Sequence, residues 1–286
     1  MRFRLLQPAL PLACATLLFA APAAARNADV AALQVGLQAR GLYAKSIDGL
    51  RGPATTAAIK RLQRRAGLTI NGVPGVQTRL ALGRYGRHVL GSRPLSHGAS
   101  GWDVASLQFL LAWHGFPSGV MDGRLGARTE RALLRFQRWA HLRVDGVAGA
   151  GTLDALRRAP ATCPISLAWP VTGVLGDPFG PRGNRFHAGI DVRAPTGTDV
   201  TAAAAGRVTY AGRLGGGWGK LVVVSHALGV RTFYAHLSAV TVRVGEKVAT
   251  GSLLGRVGAT GDATGPHLHF EVRLHGAAVD PTTALP

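Results

Sequence analysis

His267-Leu268-His269-Phe270-Glu271-Val272-Arg273-Leu274 alternates polar and apolar side chains over its whole length. A strand has a side-chain period of two, so His267, His269, Glu271 and Arg273 share one face and Leu268, Phe270, Val272 and Leu274 the other. The apolar face suits a core, while the polar face carries two imidazoles side by side. Upstream, His187-Ala188-Gly189-Ile190-Asp191 sets an imidazole and a carboxylate four apart. Gly189, Val192 and Pro195 argue against a helix there, and an extended segment turns both groups to the same side. Two nitrogens and one carboxylate oxygen around a cation leave a fourth tetrahedral position for water, the open arrangement of a catalytic zinc.

The surroundings have the same texture. From Trp169 onward, short apolar runs at 200–205, 207–210, 221–224, 232–234 and 268–274 alternate with glycine-rich turns, an antiparallel β signature. The N-terminal half differs, being an ungapped repeat at an offset of 74: Leu33-Gln34 recurs as Leu107-Gln108, Asp48-Gly49 as Asp122-Gly123, and Gly52 and Thr55 as Gly126 and Thr129. Gln63, Gly72 and Thr78 return as Gln137, Gly146 and Thr152. Within each copy a turn of Asp-Gly or Asn-Gly, then Gly, then Thr announces a helix. An earlier helix begins at Asp29 or Asp103, whose carboxylate is expected to cap it, and stops at Gly41 or Gly115. Its buried stripe is Val30, Leu33 and Leu37, or Val104, Leu107 and Leu111, facing Ile59 with Leu62 or Leu133 with Phe136. The fold expected is two small all-α three-helix modules followed by an all-β antiparallel domain.

Composition narrows the function. The chain has 286 residues, 47% hydrophobic and 16% charged, which is enough to bury real cores. Two cysteines exclude a disulfide scaffold. Thirty-three basic against 14 acidic residues give +19 and point to an anionic partner. The surplus sits mostly in the repeats, where Arg61, Arg64 and Arg65, and Arg131, Arg135 and Arg138, recur at helical spacing. Arg2 and Arg4, an apolar run over 10–21 and Ala23-Ala24-Ala25 have the order of a secretory signal peptide, expected at 1–25. The run is too short to span a bilayer, so no stable membrane insertion is expected after its removal, and Cys163 is then the remaining cysteine. Export demotes nucleic acid as a partner, as does an aromatic content of 6%.

Two resemblances sharpen this. The succession Leu-Gln, Asp-Gly, Gly, Thr, then a second Gln, Gly and Thr is similar to the peptidoglycan-binding domain that accompanies many cell-wall hydrolases, giving modules at 27–85 and 101–158 with linkers at 86–100 and 159–167. Residues 168–286 resemble the lysostaphin-type (LytM-domain) zinc endopeptidases. The resemblance is carried by Phe179-Gly180-Pro181-Arg182, His187-Ala188-Gly189-Ile190-Asp191, Tyr234-Ala235-His236-Leu237-Ser238, Gly261, and Gly265-Pro266-His267-Leu268-His269-Phe270-Glu271. It implies one Zn2+ per chain on His187, Asp191 and His269, with His236 and His267 as catalytic histidines. Which of the two is the general base stays open.

The resemblance implies a secreted, periplasmic or wall-associated endopeptidase cutting peptidoglycan stem peptides or cross-links. Peptidoglycan is the polymeric substrate and anionic wall polymers are further candidate partners. The alternative is a non-catalytic wall-binding protein or an activator of another hydrolase. His88, His97, His114, His141, His226 and His275 are expected to be surface or satisfied-core residues. Ser225, Ser238, Asp177, Asp199 and Asp262 read as turn or edge residues, and Gly215 to Gly217 as a plain hairpin turn, with a loop along the substrate groove as the alternative.

Overall fold

The computed structural model describes residues 26–286, so the leader expected at 1–25 lies outside the described residues. Among those described, no helix is long and apolar enough to cross a membrane. Each repeat forms three helices: α1 (Ala28–Ala39), α2 (Pro53–Arg65) and α3 (Val76–Leu80), then α4 (Trp102–Trp113), α5 (Ala127–Trp139) and α6 (Ala150–Leu156). Leu33, Leu37, Ile59 and Leu62 are buried in the first, and Leu107, Leu111, Leu133 and Phe136 in the second. The first helices end where glycine allows a left-handed residue, at Gly41 (φ 67°) and Gly115 (φ 84°).

The expected aspartate caps are corrected. Asn27 caps α1, its Oδ1 accepting from the N–H groups of Asp29 and Val30 at 2.7 and 3.2 Å. Asp29 instead accepts from Trp102 Nε1 at 2.8 Å, and α4 has Gly101 at its cap position. The reason is that α1 and α4, the same helix of the two repeats, pack on one another. Trp102, Ala105 and Phe109 enter the core of the first module, and the Ser106 hydroxyl donates to the Ala28 carbonyl. Sandwiched in this way, α4 is buried on nearly every side, where its sequence pattern showed a single stripe.

The repeated Gln, Asp and Thr form a closed circuit. Gln34 Oε1 accepts from Gly49 N, while its Nε2 lies within 3.1 Å of Asp48 Oδ1, the Leu50 carbonyl and Thr55 Oγ1. Gln108 does the same with Gly123, Asp122, Arg124 and Thr129. Gln63 and Gln137 repeat the scheme one turn later. The threonines therefore close buried turns and do not cap helices.

The β half contains β1 (Val174–Leu175), β2 (Gly180–Arg182), β3 (Arg185–His187), β4 (Ile190–Arg193), β5 (Asp199–Thr201), β6 (Gly206–Leu214) and β7 (Gly219–Ser225). After these come β8 (Val230–Leu237), β9 (Ala239–Val240), β10 (Lys247–Val248), β11 (Leu253–Arg256), β12 (His267–Leu274) and β13 (Ala277–Val279). An antiparallel sheet runs β1-β4-β12-β8-β7-β6-β10, with β13 also on β12. A three-stranded sheet, β5-β11-β9, lies beside it, and β2 with β3 forms a separate hairpin. The core takes Ile190, Val192, Val222, Val224, Tyr234, Leu268, Phe270 and Val272, so β12 buries the face its alternation assigned.

Candidate metal centre

Strand pairing places the first two polar groups. β12 pairs β4 with His269 directly opposite Asp191, and cross-strand neighbours on one face are close enough for side chains to meet. Gly189 permits the approach, because a Cβ there would lie 2.4 Å from the Phe270 carbonyl oxygen. His187 arrives from the end of β3 and is 2% exposed. Three atoms converge: His187 Nε2 is 3.0 Å from His269 Nδ1 and 3.1 Å from Asp191 Oδ1, and His269 Nδ1 is 2.8 Å from that oxygen.

The outer nitrogens of both rings are occupied. His187 Nδ1 is 3.0 Å from the Pro178 carbonyl, and a carbonyl only accepts, so that nitrogen carries the proton and Nε2 is a bare lone pair. His269 Nε2 is 3.1 Å from Glu271 Oε1, whose other oxygen is held by Arg273 at 2.6 Å. Glu271 is 4% exposed; burial pushes its carboxyl up, but His269 and Arg273 outweigh this and hold it low. Burial likewise opposes ionisation of Asp191, and hydrogen bonds from His187 and His269 hold it well below the carboxylate range. His269 is pushed up to about 9, since Asp191 and Glu271 outweigh burial. Positive charge is thus demanded between two carboxylates. A second proton on His269 meets that demand, and so does a cation, which displaces the proton.

The donor set fits zinc. Ligand bonds of about 2.0–2.2 Å around one tetrahedral cation put neighbouring donors a little over 3 Å apart, close to the spacing of these three atoms. Among the described residues no other cluster of histidine, cysteine and carboxylate groups meets this spacing.

His236 and His267 flank the cluster, their rings 4.8 Å apart. His236 Nδ1 donates to the Thr260 carbonyl at 2.8 Å and His267 Nδ1 to that of Gly265 at 2.9 Å, so each leaves Nε2 as an acceptor. His267 Nε2 lies 3.7 Å from Asp191 Oδ1. Burial lowers the pKa of His236, which keeps that ring neutral. His236 also sits at φ 62° near the end of β8, where the register with β7 shifts. A non-glycine residue in the left-handed region costs energy, and here it aims the imidazole at the cluster.

Of the five residues singled out in the sequence, Asp191, His236, His267 and His269 line an open cleft of about 860 Å³, and His187 lies buried behind its wall against Asp191 and His269. Several other groups there were not foreseen. Asp177 and Asp262, expected as turn residues, line the cleft, and Asp177 with Asp191 brackets Arg182 Nη1 at 3.2 and 3.1 Å. Gly215 to Gly217, by contrast, is the expected hairpin turn and also takes the alternative place along the groove, walling the cleft through Gly216 and Gly217. Gly261 is required behind it, since a Cβ there would meet the Gly217 carbonyl oxygen at 2.3 Å. Trp218 stands edge-on to His269, and no sequence periodicity marks it. The remaining histidines stay apart: His97 pairs with Glu130 on the surface, His226 bonds Thr232, and His114 is a core residue of the second module.

Comparison with known proteins agrees with this division. Residues 185–281 match Peptidase family M23, and residues 26–82 and 100–156 each match the family described as "Putative peptidoglycan binding domain". The DD-carboxypeptidase/endopeptidase Mpg of Neisseria meningitidis is 48% identical over 39% of this chain and 27% of its own length. The cell division protein DipM of Caulobacter vibrioides is 42% identical over 42% of this chain and 21% of its own. The chain thus spans about a quarter of the length of these relatives. The catalytic domain of lysostaphin from Staphylococcus simulans is 33% identical, with 38% of this chain and 89% of that one covered at a TM-score of 0.37. Six helices in two repeats and an antiparallel sheet bearing a histidine–aspartate cluster accordingly make this chain a peptidase family M23 domain behind two peptidoglycan-binding domains.

Proposed function

We propose that the protein is a secreted zinc endopeptidase that hydrolyses peptide bonds in the stem peptides or cross-links of peptidoglycan, held at the wall by its two helical modules. The observation that carries this reading is the convergence of His187 Nε2, Asp191 Oδ1 and His269 Nδ1 beside two further imidazoles whose Nε2 atoms are free to accept a proton. Zinc bound by the three donors supplies Lewis acidity and lowers the pKa of water to about 7. Asp191 and the two ligand histidines fix its position, and Glu271 holds His269 in the ligating orientation. His236 or His267 takes the proton of the attacking water at Nε2 and, once protonated, hands it to the leaving amine. Each ring is kept in that tautomer by the backbone carbonyl behind it.

Two weak wall sites on one chain raise the local concentration of the cleft on a repetitive polymer without new contacts in the cleft itself. The basic surplus of the modules favours carboxylate-rich peptides and anionic wall polymers, with salt-sensitive strength. The test is zinc content together with mass spectrometry of the muropeptides released from purified sacculi. Zinc in the wild type and cleaved cross-links, both lost in His269→Ala, support the proposal. A zinc-free, inactive preparation that still binds sacculi supports the non-catalytic alternative. The mass of the released fragments identifies the scissile bond.

A further inference from the structure

The hairpin that delivers His187 is gripped from its far side by both helical modules. At its tip, the Gly183 carbonyl accepts from Ile47 N at 2.9 Å and the Asn184 carbonyl from Met121 N at 2.8 Å. Ile47 and Met121 occupy the same place in the two repeats, 74 residues apart. The pair of modules thus presents two equivalent amides to two consecutive carbonyls. Gly183 N answers with a bond to Ser46 Oγ at 3.0 Å. Along the hairpin, Trp113 at the end of α4 stands edge-on to Phe179 and Phe186, with ring centres 6.1 and 5.0 Å away. Phe186 immediately precedes His187. Gly180, at φ 127°, brings the backbone of β2 up to the same indole. Elsewhere Ala278 N donates to the Gly115 carbonyl at 3.1 Å, which joins the second module to β13.

We propose that the tandem modules position the metal centre and one wall of the cleft, in addition to binding the wall. A two-stranded hairpin with strands of three residues is marginal by itself. Its strands pair with neither of the larger sheets, and its tip and apolar side are completed by the modules. It carries Arg182, which reaches Asp177 and Asp191, and His187, which reaches Asp191 and His269. Loosening the grip therefore moves a ligand and the guanidinium that steadies a second one. Trp113, Ser46, Ile47 and Met121 act as positioning residues, through contacts that touch no substrate.

The inference rests on the peptidase reading, and the test separates the two. Full-length Trp113→Ala and Ser46→Ala are compared with wild type for turnover of a soluble, glycan-free cross-linked peptide, for zinc affinity by chelator competition, for thermal melting and for binding to sacculi. A tether alone has no effect on a soluble peptide. A displacement near 1 Å at a reacting group costs on the order of a hundredfold, so Trp113→Ala is expected to lose tenfold or more in kcat and to hold zinc more weakly. Its binding to sacculi should be retained. Ser46→Ala, which deletes one half-buried hydroxyl, is expected to melt with the wild type and to show a smaller loss in the same two quantities, and it decides the matter if Trp113→Ala does not fold. Wild-type kcat and zinc affinity in the folded variants overturn the inference. A wild type that binds zinc and cuts nothing overturns the peptidase reading instead, and the zinc affinities of the variants still judge this one.

Discussion

The two halves of the molecule treat buried polar groups in opposite ways. In the helical modules, Gln34, Gln63, Gln108 and Gln137 each spend their amide on turn donors and acceptors of the same module, and nothing is left over. In the β domain, His187, Asp191 and His269 turn lone pairs toward a common point while their outer atoms are satisfied behind them. A closed circuit of hydrogen bonds stabilises a fold, whereas an open set of acceptors requires an external positive charge. A carboxylate alone does not separate these cases, since Asp48 and Asp122 belong to closed circuits and Asp191 to the open set. The direction of the unpaired atoms does.

The strongest way to break the comparison is to remove a member of the open set. His269→Ala is expected to abolish zinc binding and peptide cleavage while the chain still folds, read by metal analysis, muropeptide release and circular dichroism. The opposite pattern belongs to the closed set. Gln108→Ala leaves the buried Gly123 amide and the half-buried Asp122 amide without their acceptor, at about 1–3 kcal/mol for each orphan. The expected outcome is a loss of about 3 kcal/mol or more in urea unfolding of the second module, with wild-type zinc stoichiometry. A zinc defect without instability in this variant would erase the distinction.

How far the sequence disclosed these sets follows from what each depends on. The open set was legible because it rides on period two: β12 alternates cleanly, and Leu268, Phe270 and Val272 all lie in the core. The segment from His187 to Asp191 was legible for a similar reason, since Gly189 and the residues after it forbid a helix. The repeat disclosed the three helices of each module, but it hid the reason its Gln and Thr recur. Their partners lie in turns 8 to 21 residues away, and no local pattern encodes that. The cap at Asn27 was missed because the competing partner of Asp29, Trp102, comes from the other repeat. Arg182 stood inside a motif with no visible task, since its two carboxylates are joined to it only by the hairpin. Trp218 gave no signal: its position beside His269 is set by the pairing of β7 with β8.

A milder perturbation tests whether the atoms behind the open set matter. Glu271→Gln keeps the size of the side chain and can still accept from His269 Nε2, but it loses the charge and the pair with Arg273. Groups that orient a metal-bound histidine are typically worth about 10–100-fold in affinity. Chelator competition should therefore show zinc held about 10–100-fold more weakly, with stoichiometry restored at high zinc. An unchanged affinity would confine the open set to its three converging atoms.

The smallest expected effect concerns the one buried histidine of the modules, and it shows where a closed set is imperfect. His114 Nε2 bonds the Leu156 carbonyl at 3.0 Å, and Nδ1 has no partner among the described residues. The ring packs edge-on against Phe136 in a core. Burial lowers its pKa from 6.5, so the folded state prefers the neutral ring. The unfolded chain then binds the proton first as pH falls. The contribution of His114 is whole above about pH 6.5 and declines below it by up to about 1.4 kcal/mol per pH unit, until the folded ring titrates in turn. The first module has Arg40, an exposed residue, at the equivalent position and supplies no matching term. Urea midpoints between pH 7.5 and 5 should fall more steeply for the wild type than for His114→Phe, which keeps the aromatic packing and removes the titration. Parallel curves would mean that the unpaired Nδ1 carries no acid penalty, and that the modules are as closed around this ring as they are around their glutamines.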